Sequence, residues 1–123
     1  MLTKDTVKIR VRLHGIDCPE RRQDYYQICK DALSGYIFGK NVSLVTHGKD
    51  RWKRTIAEVY LGTENINLKM VRNGYAWHYI KYSKDQKLAE AEAEARKHRR
   101  GLWNMKDPLP PWNHRKPVKK KSE

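Results

Sequence analysis

Residues 7 to 16 read V-K-I-R-V-R-L-H-G-I. Apolar Val7, Ile9, Val11 and Leu13 alternate with Lys8, Arg10, Arg12 and His14, the period of a strand with one buried face. Gly15 breaks the alternation and Pro19 ends regular pairing. From Asp24 to Phe38, Tyr25, Ile28, Leu33 and Ile37 fall near helical spacing, with Gly39 as the stop. "NVSLVTHG" and "RTIAEVYLG" alternate again and are β-branched, so both read as strands. The polar, basic "GKDRWKR" between them makes an antiparallel, hairpin-like pair. "NINLKMVRNGYA" (Asn65 to Ala76) predicts a short helix closed by Asn73-Gly74, with Leu68 and Val71 inward. Ser83 is the expected N-cap of a last helix, in which Ala89, Ala91, Ala93 and Ala95 raise helix propensity. That helix runs from acidic (Glu90, Glu92, Glu94) to basic (Arg96, Lys97, Arg99, Arg100), which suits its dipole, and its glutamates read as a solvated face. Gly101 ends it, and Leu102-Trp103 can fold back on the core.

Strand, helix, two strands, helix, helix suggests a small barrel with helices outside rather than a parallel α/β sheet. The 123 residues suit one domain. We place it at 1–105, followed by a Pro-rich basic tail, 106–123, expected to lie extended or disordered. In that tail Arg115, Lys116 and Lys119 to Lys121 read as solvated charge with, at most, salt-sensitive phosphate affinity. Four Trp, seven Tyr and one Phe allow a modest core. No apolar run approaches the roughly 18 residues of a membrane span, and no apolar export segment follows Met1.

Charge changes the picture more. The chain carries 27 Lys and Arg against 14 Asp and Glu, a formal net charge of +13. Polyanions are the expected partners, nucleic acid before anionic membrane. The absence of an amphipathic helix with a large apolar face argues against the membrane. Cys18 and Cys29 stand either as a disulfide or as two thiols. The five histidines lack ligand spacing, so no zinc site is expected.

Arg12, Asp17 and Glu20 lie within nine positions around a Gly-Ile-Asp-Cys-Pro-Glu turn. Phosphodiester hydrolysis needs a cation on the phosphate, a base for water and donors for the charge that builds in the transition state. A carboxylate can hold Ca²⁺, a glutamate can serve as base, and a guanidinium can fork two phosphate oxygens. Arg54 could complete the clamp. From residue types alone, a surface ion pair between Arg12 and either carboxylate is the plainer reading.

"VRLHGIDCPE", "DRWKRTIAEVY", "MVRNGYAWHY" and "AEAEARKHRRGLW", in register from Val7 to Trp103, resemble the staphylococcal (thermonuclease) nuclease family, and "LPPWNHRK" resembles bacterial members. The resemblance implies a mainly β fold with helices: a five-stranded OB-fold barrel plus three α-helices, with a truncated first strand as one of two readings of this chain's start. It implies a Ca²⁺-dependent, sugar-nonspecific endonuclease that hydrolyses DNA and RNA phosphodiesters. By position it implies Asp17 as metal ligand with the Cys18 carbonyl, Glu20 as general base, and Arg12 and Arg54 as phosphate-binding catalytic arginines. Arg51, Trp52, Tyr79 and Tyr82 are the implied substrate contacts, with rim packing the competing role for the tyrosines. Secretion or a periplasmic location is the implied address.

The family also carries an Asp-Gly-Asp-Thr segment, whose second Asp is a further metal ligand. This chain offers Lys4-Asp5-Thr6. Either Asp5 is that ligand, or the segment lies upstream. Asp5 to Arg12 spans at most about 23 to 25 Å extended, short for a strand, a turn and a strand back. The upstream reading carries three expectations: weak metal binding, weak or absent activity of this chain, and a barrel edge open to a neighbouring copy. The chain is then a monomer or an edge-paired dimer. A non-catalytic nucleic-acid-binding module of the same fold is the alternative from another functional class.

Overall fold

The computed structural model describes residues 9–115, with side chains through Asn113. Strand β4 (Thr55–Leu61) is central, with Ala57 and Val59 buried on its core face. On one side β1 (Val11–Leu13) runs parallel to it, Arg12 opposite Ile56 and Leu13 opposite Ala57. On the other side β3 (Ser43–Lys49) is antiparallel, with a register shift between Thr46 and Lys49 where Gly48 takes φ 97°. The expected strand pair is therefore present. Short β5 (Glu64–Asn65) extends β4. A separate two-stranded ladder joins β2 (Ile16–Asp17) to β6 (Trp77–His78), pairing Ile16 with His78 and Asp17 with Trp77.

The three expected helices are α1 (Tyr26–Ile37), α2 (Ile66–Arg72) and α3 (Gln86–Lys97). On α2, Ile66 and Met70 share one face, and Val71 packs beside them. On α3, Leu88, Ala91 and Ala95 form the buried stripe. Ile66, Met70, Val71, Leu88 and Ala91, with Ile16, Val59 and Ala76, make one core. Each large apolar side chain there contributes about 1.5 to 3 kcal/mol by burial. Leu102 enters the same core and Trp103 meets Trp77 edge-on at 4.5 Å, so the fold-back after Gly101 occurs as the sequence suggested.

That fold-back rests on two glycines. Gly74 has φ +82°, and a Cβ on it would lie 2.1 Å from the Arg100 carbonyl oxygen. Gly101 approaches from the other side, and the Leu102 N–H donates to the Gly74 carbonyl at 2.8 Å. Neither residue tolerates a side chain without backbone movement. Gly74→Ala is expected to cost about 2 to 4 kcal/mol, from left-handed strain plus overlap. A lowered urea midpoint at unchanged slope would record it.

The larger sheet has the order β1-β4-β3 with β5 on β4, and the ladders do not join into a closed sheet among the described residues. Several expectations are corrected. Ile9 and Val11 on the supposedly buried face are exposed, as is Val45 on β3. Ile28 of α1 is exposed, and Cys29 is that helix's buried residue. Ser83 does not cap α3. The Asp85 carboxylate does, accepting from the Lys87 N–H at 2.8 Å, because the helix starts at Gln86. Glu92 is no solvated glutamate, since its Oε2 accepts from the His78 N–H at 2.8 Å. The start of the tail is not extended either: Pro111–Arg115 forms helix α4 with Pro111 buried. Proline suits a first helical turn because no N–H is needed there. Cys18 and Cys29 are free thiols. Asp5, Lys116 and the Lys119 to Lys121 run lie outside the described residues.

Candidate functional site

Gly15, at φ +78°, turns β1 into β2. The strands on either side have different partners, β4 and β6, and so fix the turn from both ends. Arg12 leaves β1 and folds over the turn. Its Nη1 donates to the Ile16 carbonyl at 3.0 Å and to the Leu13 carbonyl at 3.3 Å. Its Nη2 lies 3.8 Å from Asp17 Oδ1. Asp17 is buried, while the Arg12 side chain keeps 26% of its surface. The ion pair of the plainer reading thus exists, and it also orients a guanidinium at the mouth of the turn.

Glu20 follows Cys18 and buried Pro19. Its N–H donates to Gln23 Oε1 at 2.8 Å, and its carbonyl accepts from the Gln23 N–H at 2.8 Å. The Cys18 thiol is pushed up to about 12, by burial first and by the Asp17 charge next. The Arg12 and Glu20 charges also act on it, in opposite directions. Cys29 is likewise raised to about 12, by burial and then by Cys18. Beyond Glu20 an open groove of about 640 Å³ is lined by Arg21, Gln23, Tyr25, Tyr26 and Lys30.

Arg54 precedes β4, two residues before Ile56, the register partner of Arg12. The Arg54 guanidinium is held at home, with Nε 2.7 Å from Asp50 Oδ2. Burial alone would raise the Asp50 pKa. Hydrogen bonds from the N–H groups of Arg54 and Trp52 and from the Arg54 side chain outweigh it and hold the carboxyl below its usual value. Arg51 lies over the Trp52 ring at 4.7 Å, and Trp52 is 57% exposed. The β3–β4 loop thus presents two arginines around one exposed indole.

Tyr79 is brought to the same turn by its N–H, which donates to the Gly15 carbonyl at 2.9 Å. It meets Tyr82 edge-on at 4.8 Å and lies flat against Trp112 at 4.9 Å. Tyr79 is half-buried and shared with α4, while Tyr82 is exposed. Of the two, Tyr82 is the more exposed, as stacking on a base requires, with the Lys81 ammonium 5.6 Å over its ring.

Asp17, the Cys18 carbonyl and Glu20 offer oxygen atoms, the donor class that suits Ca²⁺. No cluster of three or more His, Cys, Asp or Glu side chains fit for a metal occurs among the described residues. By donor chemistry alone, these oxygens suit a hydrated divalent cation that takes its other ligands from water or substrate. His14 stacks on His47 at 3.8 Å, yet burial and then His47 push the His14 pKa below its usual value, and His47 is held by Glu58 at 2.7 Å.

Sequence reasoning missed Asp50, Gln23, Asn67 and Trp112. Asp50 carried a signal, since an Asp two residues before Trp52 is placed for an Asx turn, with its Oδ1 2.9 Å from the Trp52 N–H. Asn67 and Trp112 act on residues distant in sequence, as does the Gln23 bond to Leu109.

The family model described as staphylococcal nuclease homologue matches residues 10–105. An uncharacterized endonuclease of Haemophilus influenzae is 43% identical over 118 residues, covering 96% of this chain and 66% of that protein. One from Escherichia coli is 41% identical over 111 residues, covering 88% and 72%. A staphylococcal-like nuclease of Arabidopsis thaliana is 38% identical over 109 residues, covering 89% of this chain and 34% of that protein. The chain thus spans about two thirds of the length of the Haemophilus influenzae relative and about one third of the Arabidopsis thaliana one.

Proposed function

Because the chain belongs to the staphylococcal nuclease homologue family, we propose that it hydrolyses nucleic-acid phosphodiester bonds as a Ca²⁺-dependent, sugar-nonspecific endonuclease acting on DNA and RNA. The observation that carries this reading is the Arg12–Asp17 ion pair at 3.8 Å on the turn that leads into Glu20. The endonuclease names of the bacterial relatives support it.

In this reading Glu20 takes a proton from the attacking water as its oxygen bonds to phosphorus and the P–O bond to the leaving group breaks. Arg12 and Arg54 donate to the non-bridging oxygens, whose charge rises in the transition state. For Arg54 this means leaving or sharing Asp50. Asp17 and the Cys18 carbonyl would hold Ca²⁺, which when bound supplies positive charge to the phosphate. Arg51 and Trp52 on the loop, with Tyr82, bind the flanking nucleotides. Closure of the sheet into an OB-fold barrel belongs to the same proposal and is supported by the parallel β1–β4 and antiparallel β3–β4 pairings.

The test is cleavage of labelled single-stranded DNA and RNA in Ca²⁺ and in EDTA. Both substrates should be cut, with the rate lost on chelation and the products lacking sugar preference. Equal cutting in EDTA would remove the metal from the reading. Salt-sensitive binding without cleavage would replace it by the binding module.

A further inference from the structure

The Gln23 side chain joins two pieces of backbone far apart in sequence. Its Oε1 accepts from the Glu20 N–H at 2.8 Å, and its Nε2 donates to the Leu109 carbonyl at 2.8 Å. The amide's orientation is fixed chemically, because Glu20 offers a donor and Leu109 an acceptor. Glutamate would lose the donor, and alanine would lose both bonds. Leu109 leads into α4, where Pro111 is buried and Trp112 lies flat on Tyr79 and edge-on to Trp77 at 5.5 Å. Trp77 is in turn the ladder partner of Asp17. The circuit therefore closes. Asp17 is tied to α4 through β6 and Trp77, and Glu20 is tied to it through Gln23 and Leu109.

We propose that Gln23 is a positioning residue through which the 109–112 clasp fixes the Glu20 backbone relative to Asp17. The inference rests on the reading of Glu20 as general base. A carboxylate on a loose turn would sample poor approaches to water and phosphorus, and small misplacements of a catalytic group cost up to about a hundredfold in rate.

Two readouts on the full chain decide it. The first is amide hydrogen exchange at Glu20, which needs no activity. Gln23→Ala, and Trp112→Ala acting from the clasp side, should each speed it at least about tenfold while β4 amides stay protected. The second is cleavage in Ca²⁺. Both variants should lower kcat about tenfold to a hundredfold with KM little changed, and Gln23→Ala should add little loss on top of Glu20→Gln. Gln23→Met, closer in size, repeats the test should Gln23→Ala prove unstable. Unchanged exchange at Glu20 overturns the proposal, and so does faster exchange with unchanged kcat in a chain that cleaves. If Glu20→Gln cleaves at the parental rate the general-base reading fails, and if the parent chain does not cleave the kinetic arm gives no readout. The exchange arm then decides the clasp by itself.

Discussion

Glu20→Gln is expected to reduce kcat for phosphodiester cleavage by about 10² to 10⁴, the range a positioned general base supplies. The substitution is nearly isosteric, and the hydrogen bonds recorded between Glu20 and Gln23 use the Glu20 backbone N–H and carbonyl, which survive it. The turn should therefore keep its shape. Arg12 should still hold the Ile16 carbonyl, and the arginines of the β3–β4 loop should still attract the backbone of the substrate. Binding of a single-stranded oligonucleotide, measured in EDTA, is expected within about twofold of the parent, so the loss lies in the chemical step. The measurement is steady-state cleavage in Ca²⁺ beside that binding isotherm. A loss below tenfold would place the base elsewhere. A parallel loss of binding would show that Glu20 holds the turn rather than activating water.

What the sequence made legible is local. Alternation found β3 and β4, which pair antiparallel over Ser43 to Thr46 and again at Lys49. The turn from Arg12 to Glu20 was legible because its chemistry falls within nine positions. Even there, ion pair and phosphate site were posed as rivals, whereas the 3.8 Å pair with Asp17 leaves Arg12 oriented for either. The period of β1 announced a strand but not what covers it, and exposed Ile9 and Val11 show the difference. Ser83 has the chemistry of a cap, but the helix begins at Gln86 and Asp85 takes the role. Proline content suggested an extended tail. Stacking of Trp112 on Tyr79 reverses that, and aromatic pairing between residues 33 apart has no local signature. Gln23 and Leu109 are 86 residues apart, so no spacing rule could join them.

Asn67→Ala is expected to be the most damaging single core change, and the reason lies in the β1–β4 ladder. The Thr55 N–H donates to the Arg10 carbonyl at 2.8 Å and the His14 N–H to the Ala57 carbonyl at 2.8 Å. Continued by two residues, the parallel pattern would join the Val59 N–H to the His14 carbonyl. The chain has already turned at Gly15, and that rung is filled by a side chain instead. Asn67 Oδ1 accepts from the Val59 N–H at 3.1 Å, and Asn67 Nδ2 donates to the His14 carbonyl at 3.0 Å and to Ala57 at 3.2 Å. Asn67 is 1% exposed, so alanine would leave two backbone groups without these bonds and a void beside them. At about 1 to 3 kcal/mol per unmet group, the expected loss is about 3 to 5 kcal/mol, a large share of the roughly 5 to 15 kcal/mol that holds a domain together. Asn67→Asp keeps the acceptor for Val59 but sets a carboxylate against two carbonyls, so it should not rescue. Arg12 lies two residues from His14, and loosening this rung should also cost cleavage at temperatures where the variant remains folded. Chemical denaturation of both variants, with cleavage measured well below their midpoints, tests both statements. A loss under about 1 kcal/mol would mean that the turn holds itself, and that the amide only fills space.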